Sequence, residues 1–240
     1  MASLEEVVNP YVRRSRLQPA LIVALPLALA TLAWFPSGIL GWGTLWSLFV
    51  WCGGTALLAQ IARDAGKKKE SFLYERWDGK PTTRMLRHRD APNAVILEQR
   101  HRKLATLIPG IHIPTAKEEA ADPTHADQVY DACTAYLLEK TRDKKKFPLV
   151  FEENCNYGFR RNLWGMKLWG ITTTIVGCVA TGVLIFRTVM SGVVPSPLIL
   201  VCAAMAFFLL LGWFFWFSPD WVRIPADAFA DRLLSASENL

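Results

Sequence analysis

LWGITTTIVGCVATGVLIFRTVMSGVVPSPLILVCAAMAFFLLLGWFFWF, residues 168–217, contains one charged side chain, Arg187, and that residue falls between two apolar runs rather than inside either. The runs, 168–186 and 197–217, are each about as long as a ~30 Å hydrocarbon core requires of a helix. Two more runs of this kind, 19–37 and 42–62, stand near the other end of the chain. The sequence therefore reads as an all-α membrane protein with four transmembrane helices arranged as two hairpins, 19–62 and 168–217. Between them lies a mainly helical cytosolic insert, 63–167, and an N-terminal segment, 1–18, and a C-terminal tail, 218–240, flank the whole.

Composition agrees with a bilayer environment. A mean hydropathy of +0.20, with 52% hydrophobic residues and ten tryptophans, exceeds what a soluble domain of 240 residues carries. Arg13, Arg14 and Arg16 precede a first run longer than a signal h-region, with a second run close behind, so it is expected to be retained. Five cysteines show no paired framework, which fits a reducing cytoplasmic face.

Orientation follows from the basic residues. Of 27 Lys and Arg, three precede the first run, 21 lie in the insert and two follow the last run, leaving Arg187 alone for the opposite side. By the positive-inside tendency, both termini and the insert are expected in the cytoplasm of a multi-pass protein of the plasma (inner) membrane. The loops between paired runs are short, so neither supplies an external domain.

Within the runs, Thr173, Gly177 and Thr181 recur every four residues and put small side chains on one helical face, suited to packing inside the bundle or between copies in a homo-oligomer. Pro26 removes one backbone bond from the first helix. Trp34, Trp42, Trp164, Trp169, Trp213, Trp216 and Trp221 cluster near run ends, where indoles anchor at the headgroup layer. The absence of ionisable groups inside the runs argues against an ion-driven transporter.

The insert holds 21 basic and 15 acidic residues. Its basic beginning faces anionic headgroups, at about 1 kcal/mol per charge near the surface. A helix is expected from 92 to about 107. Thr115 with Glu118 fits a capping box, and Asp122 with Pro123 fits an N-cap and first turn of a helix reaching about residue 143. The stretch FPLVF, 147–151, reads as a short strand or extended piece, followed by an interfacial helix in which Arg160 and Arg161 contact headgroups.

Catalytic signatures fail on their mechanics. His88-Arg89-Asp90 matches a kinase tripeptide but lacks the metal-binding Asn and the Gly-rich loop, and Gly79-Lys80-Pro81-Thr82 lacks the spacing of a phosphate loop. His88, His101, His112 and His125 stand too far apart to offer two metal ligands from one helix, and Cys155 and the pair Glu152-Glu153 lack identifying surroundings. The sequence thus assigns no catalytic residue, no metal ligand and no cofactor. Arg84, Arg87, Arg89, Arg100, Arg102 and Lys103 are candidates to converge on a phosphate-bearing ligand or a protein partner. Nucleic acid is not favoured, because acids are interspersed and no nucleic-acid-binding signature is present.

The stretches WDGKPTTRMLRHRD, DPTHADQVYDA and FPLVFEENCNYGFRRNLWGMK resemble those of bacterial integral-membrane proteins of uncharacterised function, with two hairpins around a cytosolic insert. The resemblance covers most of the insert. It implies a bacterial origin and carries no catalytic residues. Two functions are consistent with this layout. The favoured one is a non-enzymatic, oligomeric sensor or effector, as in antiviral defence or stress response, whose insert binds a partner or ligand and couples to the transmembrane helices. The alternative is a membrane-bound enzyme acting on a lipid or lipid-linked substrate, with residues in 84–101 or 152–161.

Overall fold

The computed structural model describes residues 9–38 and 53–240, and among these the chain is helical with no strand. In order, α1 runs Pro10–Trp34, α2 Gly54–Arg76, α3 Ala94–Leu107, α4 Ala116–Ala121, α5 Pro123–Lys140, α6 Pro148–Gly165, α7 Lys167–Met190, α8 Pro197–Trp216 and α9 Pro219–Ser235. Three of them, α1, α7 and α8, are long and apolar enough to cross a membrane. Residues 42–52 of the expected second run lie outside the described residues, and its end, from Gly54, opens α2.

The chain divides into two compact units, Met1–Lys69 with Gly158–Val222, and Glu70–Tyr157 with Arg223–Leu240. The divisions fall inside α2, α6 and α9.

In the first unit, α1, α7 and α8 pack on one another. The small-residue face of α7 is what lets them approach. A Cβ on Gly177 would stand 2.8 Å from the carbonyl oxygen of Pro26, and one on Gly170 would stand 2.1 Å from the indole of Trp213. Thr173 Oγ1 donates to the Val23 carbonyl at 2.7 Å, one turn before Pro26. Thr174 and Thr181 are buried and return their hydroxyls to the α7 carbonyls of Gly170 and Gly177. Thr173 and Gly177 are thus used inside the unit, against α1.

Charged α1 residues move its start well before residue 19. Asn9 caps the helix and Pro10 opens it, and a π-helical stretch covers Arg13–Leu17. A widened turn of this kind offsets its carbonyls from the ordinary ladder. Asn162 Nδ2 donates to one of them, on Ser15, at 2.7 Å, and both residues are buried.

Trp213 departs from the anchoring role expected of it. It is fully buried, donates from Nε1 to Thr174 Oγ1 at 3.1 Å and packs edge-on against Phe217. Trp169 and Trp216 are exposed. Large apolar side chains also point outwards along α7 and α8, among them Leu168, Phe186, Phe207, Phe208 and Phe215. In water that would be a large uncompensated apolar surface.

The second unit has an ordinary core: Leu86, Leu104, Ala126, Tyr130, Cys133, Leu137, Phe147, Val150, Leu233, Leu234 and Ala236. The last three come from the segment read as a tail, so α9 completes this core. Helix boundaries follow local chemistry. Asn93 caps α3, the Thr115–Glu118 capping box forms, and Asp122 with Pro123 opens α5 as its sequence indicates. FPLVF is not extended. Pro148 occupies the first position of α6, where its missing N–H costs nothing, and Phe147 and Val150 reach the core at a helical interval of three.

Candidate functional site

The polar centre of the second unit is built where α2 ends. Gly79 N–H donates to the Tyr74 carbonyl at 2.7 Å and Asp78 N–H to that of Glu75 at 3.2 Å, with Asp78 left-handed at φ 59°. This is a Schellman ending with aspartate in the position glycine usually takes. The chain then makes one helical turn, Pro81–Arg84, which packs on α5, as does α4.

Arg87 follows that turn and is 4% exposed. Its Nε and Nη2 donate to the two carboxylate oxygens of Asp127 at 2.8 and 2.6 Å, a bidentate pairing. Its Nη1 donates to the Asp78 carbonyl at 2.6 Å and to Asp90 Oδ2 at 3.1 Å. The Asp127 hydrogen bonds, supported by Asp90, raise its pKa, so the guanidinium remains charged against its desolvation. Gly79 leaves room for it, since a Cβ there would lie 2.8 Å from Nη2.

Glu119 of α4, 3% exposed, is the second focus. It accepts from the backbone N–H of His88 at 2.7 Å and of Arg89 at 3.2 Å, from Arg89 Nη1 at 3.0 Å and from the Tyr130 hydroxyl at 2.9 Å. Burial works to raise its pKa, but the His88, Tyr130 and Arg89 hydrogen bonds together prevail and hold it below the usual carboxylate value. Burial, then the hydrogen bond to Glu119, pushes the Tyr130 hydroxyl the other way.

His101 lies stacked on Tyr130 at 5.7 Å and edge-on to His88 at 4.9 Å. Its Nε2 lies 2.8 Å from the Leu86 carbonyl, and that of His88 lies 3.1 Å from the Pro114 carbonyl, so each ring carries its proton on Nε2. Desolvation lowers the His101 pKa from 6.5, and its neighbour His88 adds to this, against the Leu86 carbonyl and Glu119. The folded unit then binds fewer protons than the unfolded chain below that value. Stability from this group is complete above pH 6.5 and is lost as pH falls, by at most ~1.4 kcal/mol per pH unit. His101→Gln, whose amide can keep the Leu86 bond, is expected to flatten the fall in melting temperature between about pH 7 and pH 5. An equal fall in wild type and variant would show that His101 is not the titrating group.

Of the sequence-predicted cations, Arg84, Arg87 and Arg89 come together around shared carboxylates, Arg84 and Arg87 on Asp90 and Arg87 and Arg89 on Asp127, while Arg100 and Arg102 with Lys103 lie in other settings. Arg84 Nε lies 3.9 Å from Asp90, Arg89 belongs to the Glu119 centre, and Arg100 Nη2 meets Asp231 at 2.6 Å. Carboxylates therefore hold the guanidinium groups of Arg87, Arg89 and Arg100 and lie beside that of Arg84, so the cluster these arginines form is charge-paired within the unit. Arg102 is exposed and lies beside Glu98, and it shares a shallow surface pocket with Lys103. In the first unit, Arg160 donates to the Trp221 carbonyl at 2.9 Å and stacks over its ring, while Arg161 is buried and donates to Asn162 Oδ1.

Next to Arg87 lies a cleft of about 450 Å³, lined also by Tyr74, Glu75, Lys80, Thr83 and Asp131. Lys80 and Thr83 both donate to Asp131, so the wall is internally paired. Cys133 is buried, which pushes its thiol up to about 11, far from a reactive thiolate at neutral pH. Glu153 accepts from Asn156 at 3.3 Å. The sequence did not single out Asp78, Glu119, Asp127 or Asp131, and it offered Asp90 only within the rejected kinase tripeptide and Tyr130 only on the buried stripe of its helix. The available signals were Asp127 and Asp131 four apart on one helix and the Asp78-Gly79 turn pair. No family model, curated protein or solved structure matches the chain.

Proposed function

We propose that the protein is a non-enzymatic, multi-pass membrane component. Its second unit binds a partner on the cytoplasmic side, and its apolar helices act in the bilayer as an oligomeric sensor or effector. The observation that carries the reading is the outward display of large apolar side chains on α7 and α8, which needs lipid or further helices around it. The Arg87 and Glu119 centres, whose ionisable groups are committed to one another, act in this reading as structural supports of the partner-binding unit.

Residues 42–62 form the remaining crossing in this reading, which gives two hairpins with both termini and 63–167 in the cytoplasm. The distribution of basic residues supports that orientation. Reporter fusions at Lys145 are expected to be active only with a cytoplasmic reporter. Expression is expected to depolarise cells, and Glu152→Ala with Glu153→Ala should leave that effect unchanged. Loss of depolarisation in the double variant at equal protein level would instead favour a reaction at the lipid interface.

A further inference from the structure

The second unit divides its cations unevenly. Around Arg87 and Glu119, basic groups are matched by carboxylates. At the turn joining α5 to α6 they are not. Lys140, Arg142, Lys144, Lys145 and Lys146 fall within seven residues and are exposed, against Glu139 and Asp143. Arg142 pairs with Glu139, and Asp143 caps the turn by accepting from the Lys145 N–H. Among the described residues, Lys144, Lys145 and Lys146 make no ion pair, and neither does Arg232 of α9. Lys146 rests over the ring of Phe147, which leaves its ammonium open on the other side.

Two of these cations, Lys146 and Arg232, line a concave, mainly apolar surface. A groove of about 220 Å³ is lined by Phe147, by Pro148, Leu149 and Val150 of α6 and by Ala236 beyond α9, with Lys146, Arg232, Ser235 and Asn239 as its polar lining. Leu149 is 55% exposed there. An exposed leucine alone means little. An apolar concavity edged by unmatched positive charge is complementary to a short segment that has aliphatic side chains and flanking carboxylates.

We propose that this groove and the Lys144–Lys146 turn form the docking surface for an acidic, leucine-containing segment of a partner protein. An aliphatic side chain of the segment seats on Phe147, Leu149 and Ala236, and its carboxylates face Lys145, Lys146 and Arg232. The inference rests on the reading of the second unit as a partner-binding module. A concavity suits a side chain better than a flat lipid surface, which decides against headgroups as the occupant.

The test uses the full chain in phosphatidylcholine nanodiscs and, as probe, a fluorescent synthetic peptide of alternating leucine and glutamate pairs, followed by anisotropy. Micromolar binding is expected. It should weaken at least tenfold in K144E/K145E/K146E, in R232E and, independently of charge, in L149S, and it should weaken steeply with added salt. A peptide with lysine in place of glutamate should not bind. Undiminished binding to the charge-reversed variants, or equal binding of the lysine peptide, would overturn the proposal. Protection of the turn lysines from acetylation on phosphatidylglycerol discs, with no peptide binding on either disc, would overturn it in favour of lipid. Protease access at Lys145 in intact cells is read separately, so a misplaced topology is distinguishable from a groove that binds nothing.

Discussion

Detergent-solubilised protein carrying Gly170→Leu is expected to lose its cooperative thermal transition and to aggregate on size-exclusion chromatography, while Gly182→Leu in the same helix melts as wild type does. The difference lies in what each position faces. A Cβ on Gly170 would meet three atoms of the Trp213 indole between 2.1 and 2.5 Å, whereas one on Gly182 meets nothing within 4 Å. The indole has nowhere to go, because its Nε1 is held by Thr174 and its ring lies against Phe217. Overpacking by even a few atoms costs about 1–3 kcal/mol, and leucine adds four carbons at a site without room for one. Gly177→Ala should be milder but still destabilising, since it confronts the backbone of Pro26. Wild-type melting of Gly170→Leu would mean that α7 and α8 do not pack through this contact.

Arg87→Met is expected to cost the second unit about 3 kcal/mol. Its removal strands Asp127 and Asp90 beside a turn that loses the cation binding its carbonyl at Asp78. Breaking one side of a buried ionic cluster costs ~3–5 kcal/mol, and we take the lower end because Asp127 and Asp90 retain 31% and 23% side-chain exposure. Amide exchange in α5 reads this directly, with protection expected to fall by about two orders of magnitude, since ~1.4 kcal/mol is tenfold. Arg102→Met is the control, because that side chain is 71% exposed and the one ion pair it makes among the described residues is at 4.0 Å. Equal protection in Arg87→Met and Arg102→Met would remove Arg87 from any structural role.

Much of this was legible along the chain and some was not, for identifiable reasons. Apolar length alone marks α1, α7 and α8, and the capping signals at Thr115–Glu118 and Asp122–Pro123 are local, so short sequence windows contain them. The beginning of α1 is hidden because Arg13, Arg14 and Arg16 look like a flank, although backbone hydrogen bonding continues through them. FPLVF alternates like a strand at positions 147, 149 and 151, but the core takes Phe147 and Val150, and Pro148 favours a helix start over a ladder. The Arg87 centre is invisible for a different reason. Its main partner, Asp127, lies 40 residues away, and no spacing rule links a loop arginine to a particular carboxylate at that distance.

The order in which the core of the second unit becomes available has a consequence for biogenesis. Leu233, Leu234 and Ala236 pack with Leu86, Leu104, Tyr130 and Leu137, yet all of α7 and α8 is translated in between. On the ribosome, α3 to α6 therefore lack part of their apolar partner surface while two long apolar helices are made. That core is complete only once α9 has been made, so a nascent chain stalled before residue 233 is expected to present the uncovered apolar side to chaperones and quality-control proteases.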